Sequence, residues 1–83
     1  MDKTVAIVEF LVSWQNMSYD QVEDASDIKI FNVVGTLIQL VKNDYLYISD
    51  MLDFVGLLNL TEEEKQKIAT IISNAYESSV VIN

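Results

Sequence analysis

Between Asp27 and Asn43 the polar residues Lys29, Asn32, Thr36, Gln39 and Asn43 recur at intervals of three, four, three and four. That spacing is the signature of a helix with one wet side. The remaining positions, Ile30, Phe31, Val33, Val34, Leu37, Ile38, Leu40 and Val41, cover about half the circumference, a stripe wide enough for core packing. The pattern predicts a helix over 27–43. Gly35 costs it roughly 1 kcal/mol of propensity and leaves room for a close helix crossing.

No proline interrupts the 83 residues, so similar patterns can run at length elsewhere. In "NLTEEEKQKI" Thr61 and Glu64 form a capping box, and Glu62 and Glu63 complement the positive helix end. Ile68, Ile71, Ile72, Ala75 and Tyr76 then share one face, opposite Glu63, Gln66, Lys67, Thr70, Asn74 and Glu77, which predicts a helix over 62–78. In "NDYLYISDMLDFVGLLNL" Asn43 or Asp44 is placed to cap a helix over 45–59, with Tyr45, Ile48, Met51, Leu52, Val55 and Leu58 on its apolar face. The segment 4–17 is ambiguous. Ile7, Phe10, Leu11 and Trp14 make a helical stripe, while its β-branched residues and alternation also suit a strand. A lone strand would lack a pairing partner, so a helix is expected.

Ser18 and Gln21 repeat the capping-box spelling, which predicts a short helix over 19–25 with Asp20 in its first turn and Ser26 or Asp27 capping the helix that follows. The fold class is therefore all-α: a compact bundle of three long helices plus a short one, forming a single acidic domain over 1–83. The tail 79–83 is expected to leave the helix, because a continued helix would spread Val80, Val81 and Ile82 around all its sides.

A chain of this size buries only roughly 60% of its unfolded surface, so its core must be dense. With 51% hydrophobic residues the supply is adequate. Val5, Val8, Val12, Leu46, Leu57, Val81 and Ile82 exceed what such a core absorbs and are candidate interface residues, implying a homodimer or another stable partner. The apolar run from Val5 to Val12 contains Glu9, lacks the features of a signal peptide and is too short to span a bilayer. A cytoplasmic protein without membrane attachment is expected.

Chemistry is constrained by what is missing. With neither histidine nor cysteine, the usual nucleophile and base pairs and thiolate metal sites are absent. Asp50 and Asp53, three positions apart, suit a solvated helix face better than an acid and base pair. "DQVEDASDIKIF" lacks the glycine of a calcium loop. Neither a catalytic residue, a metal nor a cofactor is expected. Acyl carrier proteins share the size and acidity, but no serine here stands in their Asp-Ser-Leu motif.

Thirteen acids against five lysines, with no arginine, give a net charge of −8 and disfavour direct nucleic-acid binding. Five acids and no base lie between Glu9 and Asp27, and six acids and no base between Asp44 and Glu64. Two readings follow. These acids either keep a greasy bundle soluble, or the short helix and the third helix merge them into a negative face. The second reading makes the chain a non-enzymatic module, an inhibitor or adaptor for a basic site on a nucleic-acid-binding protein, with Asp20, Glu23, Asp24, Asp50, Asp53, Glu62, Glu63 and Glu64 as contacts. Tyr19 and Tyr47 join them as exposed aromatic candidates, since tyrosine is enriched in interfaces. The alternative is a structural protein that self-associates through its apolar helix face. A short arginine-free chain of this kind also suits a virus or mobile element.

Overall fold

The computed structural model describes residues 3–81, with the side chain of Val81 excluded. Helix α1 spans Lys3–Ser18, α2 Ala25–Lys42, α3 Met51–Gly56 and α4 Glu62–Val81. Two single 3-10 turns, Tyr19–Gln21 and Ile48–Asp50, lie between them. Among the described residues there is no strand, so the ambiguous first segment is a helix.

Each long helix buries the stripe its spacing dictates. Ile7 and Leu11 of α1, Val34 and Leu37 of α2, and Ile68 and Ile72 of α4 are completely enclosed, with Met51 of α3 filling the fourth side. The polar set Lys29, Asn32, Thr36, Gln39 and Asn43 is exposed throughout, as are the six polar-face residues of α4. Helix α1 packs against α2 and α4, and α4 against α3.

Side-chain bonds give the directions. Gln15, near the end of α1, donates to the Phe31 carbonyl of α2 at 3.3 Å, so the two helices run antiparallel. Ser26 and Glu64 meet at 2.9 Å, which sets the starts of α2 and α4 side by side and makes them parallel. The Tyr76 hydroxyl donates to the Ile48 carbonyl and Lys65 Nζ to the Gly56 carbonyl, so α3 runs back along α4. The chain thus climbs α2, returns through residues 43–61 and climbs α4. At Gly35 a methyl group would come within 2.7 Å of Gln15 Nε2, the movable end of a side chain, and would meet no backbone of α1. The glycine therefore makes room for the Gln15 amide rather than for a close crossing of helices.

Several expectations need correcting. The helix expected over 45–59 is reduced to a 3-10 turn and the short α3, because Asn43 and Asp44 end α2 instead of starting a new helix. Asp44 takes a left-handed φ of 61°, its N–H donates to the Val41 carbonyl at 3.2 Å and that of Tyr45 to Leu40 at 2.9 Å. These are the paired bonds of a Schellman stop. Tyr45, placed beyond the stop, is 80% exposed, and Leu52 is 44% exposed, so neither is the core residue expected.

The helix expected over 19–25 is a single 3-10 turn continuing from α1. Ser18 is the last residue of α1, with helical backbone angles and no capping bond. The cap of α2 is Asp24, whose carboxylate accepts the Asp27 N–H at 2.8 Å, rather than Ser26 or Asp27. Finally, α4 does not stop at 78. It runs to Val81, with the Ser79 hydroxyl folded back onto the Tyr76 carbonyl at 2.7 Å and Val80 left exposed. The expected roles of Ile82 and of the Val81 side chain lie outside the described residues.

Candidate functional site

The acidic residues sort into two groups by where the helices place them. At the shared start of α2 and α4, Glu23, Asp24 and Asp27 stand on one helix entrance and Glu62, Glu63 and Glu64 on the other. Asp20 lies in the 3-10 turn leading into the first. Two positive helix ends sit here side by side, and carboxylates are the residues that stabilise such ends. Asp24 caps α2, and Asp27 Oδ2 accepts the Glu23 N–H at 3.2 Å. Asp20, Glu23, Asp24, Glu62 and Glu63 are exposed, with Glu63 3.6 Å from Lys67 Nζ.

Glu64 belongs to a different category from its neighbours. Only 5% of it is exposed. Its Oε1 accepts the Thr61 N–H at 2.9 Å, Oε2 accepts the Ser26 hydroxyl at 2.9 Å, and Lys29 Nζ approaches to 3.8 Å. The Thr61 amide, above all, and then the Ser26 hydroxyl hold its carboxyl below the ordinary carboxylate range, against the opposing effect of burial, with Lys29 adding to the depression. As a surface contact Glu64 is corrected: its hydrogen bonds join two helices.

Asp50 and Asp53 form the second group, exposed along the return through α3. Asp50 lies near the Tyr76 phenol, whose pKa is raised by burial and then by the Asp50 charge. Tyr76 is twelve residues beyond Glu64 in α4, roughly 18 Å along the helix. The two acidic segments meet at the tip of the second, through Glu64, rather than through the third helix. Among the described residues no three acidic side chains converge as a metal site.

The aromatics divide likewise. Tyr19 is 70% exposed and stands edge-on to Phe31, with ring centres 6.0 Å apart; Trp14 tilts against the same ring at 6.4 Å. Beside them is an open hollow of about 220 Å³ bounded by Trp14, Ser18, Gln21, Val22, Asp27, Ile30 and Phe31. Tyr47 is exposed at the opposite end of the bundle, next to the Ile48 carbonyl that Tyr76 holds. Sequence reasoning assigned Trp14 and Phe31 to apolar stripes and did not place them at a surface. Their meeting depends on residues 14–22 folding over 27–31, which no local pattern announces.

The surplus apolar set is partly absorbed by the fold. Val8, Val12 and Leu46 are half-buried against the core. Val5 is exposed, and Leu57, 85% exposed, sits in the turn after α3. Val8 and Val12 border an open depression of about 480 Å³ with Glu9, Asn16, Met17 and Lys42. Among the described residues no helix is long and apolar enough to cross a membrane. No protein-family model, curated protein or solved structure matches the chain.

Proposed function

We propose that the chain is a non-enzymatic protein-binding module, an inhibitor or adaptor that presents its acidic end to a basic site on a nucleic-acid-binding protein in the cytoplasm. The supporting observation is the Ser26–Glu64 hydrogen bond, which sets the acidic starts of α2 and α4 side by side. Asp20, Glu23, Asp24, Glu62 and Glu63 are then the contact residues, and the target surface is one that otherwise receives phosphates. Asp50 lies toward the far end beside Tyr76, while Asp53 stands one turn before Gly56, whose carbonyl Lys65 holds near the start of α4; the two add long-range attraction.

Affinity capture from lysate, washed with rising salt, tests the reading. The wild type retains a nucleic-acid-binding protein that salt releases steeply, because exposed charge contacts are screened. Replacing Asp20, Glu23 and Asp24 with Asn, Gln and Asn weakens capture at least about tenfold, while replacing Asp50 and Asp53 with Asn has the smaller effect. Undiminished capture by the first variant, with helicity intact, sinks the proposal.

A second reading rests on the depression at Val8 and Val12, where Met17 is 73% exposed. Under it a second copy covers this face and the charge serves solubility. Light scattering decides between them: a concentrated wild-type monomer removes the homodimer, and a dimer dissociated by Val8→Glu supports it.

A further inference from the structure

The hollow beside Trp14 is poorly matched to a free small molecule. Its volume of about 220 Å³ falls below the roughly 300–1,000 Å³ of small-molecule sites, and it suits one side chain of a larger partner. Its walls are of two kinds. Trp14, Val22, Ile30 and Phe31 line one side with aromatic and aliphatic groups, and Ser18, Gln21 and the Asp27 carboxylate form the polar part. One Asp27 oxygen accepts the Glu23 N–H, and a carboxylate has lone pairs for further donors.

The surroundings set the sign of the occupant. The stretch from Tyr19 to Ile28 contains Asp20, Glu23, Asp24 and Asp27 and no base. Against these four charges stand about half a positive charge from the start of α2 and Lys29, which leans toward Glu64 at 3.8 Å, so the balance at the mouth is negative. A second copy of the chain is a poor occupant. It carries −8 and has no arginine.

Resting on the protein-binding reading above, we propose that this hollow receives an arginine side chain from the basic partner. A guanidinium is the cation that uses both walls: its plane stacks on aromatic faces, and its forked N–H groups meet a carboxylate in pairs, while its methylene stem covers apolar surface. An ammonium makes neither planar contact. Proteins that bind phosphates through arginine carry the required side chain on the surface that the acidic end faces.

The test uses a short lysine-flanked peptide bearing one arginine and the same peptide with citrulline, a neutral near-isostere, titrated into the full chain at low salt. Trp14 is the chain's one tryptophan, so its fluorescence and its indole N–H resonance report the hollow directly. The expected result is a shift of the Trp14 signals by the arginine peptide, with about tenfold weaker binding of the citrulline peptide. Asp27→Asn and Ser18→Phe, which remove the charge and fill the cavity respectively, erase that preference while circular dichroism stays unchanged. Equal binding of the two peptides with Trp14 unmoved and the amides around Glu62 and Glu63 shifted overturns the arginine site and leaves the acidic surface standing. Absence of binding by either peptide overturns both.

Discussion

Thr61 and Ser18 head the same four-residue pattern, a hydroxyl followed three positions later by a glutamate or a glutamine, and the fold uses them in opposite ways. Thr61 follows the irregular turn after α3. Its hydroxyl accepts the Glu64 N–H at 3.1 Å and its own N–H donates to the Glu64 carboxylate at 2.9 Å, so both arms of a capping box are closed. Ser18 ends α1 with φ −89° and ψ −10°, helical values, and its side chain makes no cap. A cap requires extended backbone ahead of the helix. Asp24 has it, with φ −124° and ψ 177°, and takes the role the sequence offered to later residues. The spelling of a cap is therefore only a request; the path of the preceding chain decides whether it is met.

The largest effect expected from this contrast is at Thr61. Thr61→Ala should lower unfolding free energy by about 1–2 kcal/mol, measured by denaturant titration. An effect below a few tenths would show that the Glu64 ties hold α4 without the cap.

Stability against pH reads the other arm. The Glu64 carboxyl titrates below its ordinary value when folded, so the stability it contributes is present above the unfolded value of about 4.5 and is lost as pH falls through the folded one. Glu64→Gln should destabilise the neutral protein and flatten the acid limb of its profile. An unchanged acid limb would separate Glu64 from that transition.

Asp44 extends the comparison to a helix stop. A non-glycine residue at left-handed φ carries a cost of about 1–2 kcal/mol, which glycine removes while giving back part of the gain through its larger loss of chain entropy on folding. Asp44→Gly should raise stability by about 0.5–1 kcal/mol. A loss would mean that the Asp44 side chain supports the stop through more than its backbone.

Smallest of all is Ser18→Ala, expected within about 0.5 kcal/mol of wild type, since no cap is removed. A loss as large as that of Thr61→Ala would reveal a role for the hydroxyl in the wall of the Trp14 hollow.

Legibility varied with how local the cause was. The exposed face of α2 and both faces of α4 were readable because each follows from side-chain periodicity within one helix. The third helix was misjudged, since Asn43 and Asp44 suit a helix start as well as a stop, and only the direction of the next segment distinguishes them. Tyr45 was assigned to the core with that helix and lost its place when the chain turned. Of the candidate site, the acidic residues were visible as composition, but the burial of Glu64 and the apposition of Trp14 and Phe31 were not. Both arise between segments distant in sequence.

What the sequence by itself determined is the helical class, the polar face of α2, both faces of α4 and the start of α4, because backbone bonding, periodicity and a four-residue cap act over a turn or two. Which acids stand free, which one is consumed in joining α2 to α4, and where an aromatic hollow opens were decided by tertiary structure. Those outcomes depend on the Ser26–Glu64 and Gln15–Phe31 bonds, separated by 38 and 16 positions. Such pairs become neighbours only after burial of the shared core has set the helices against one another.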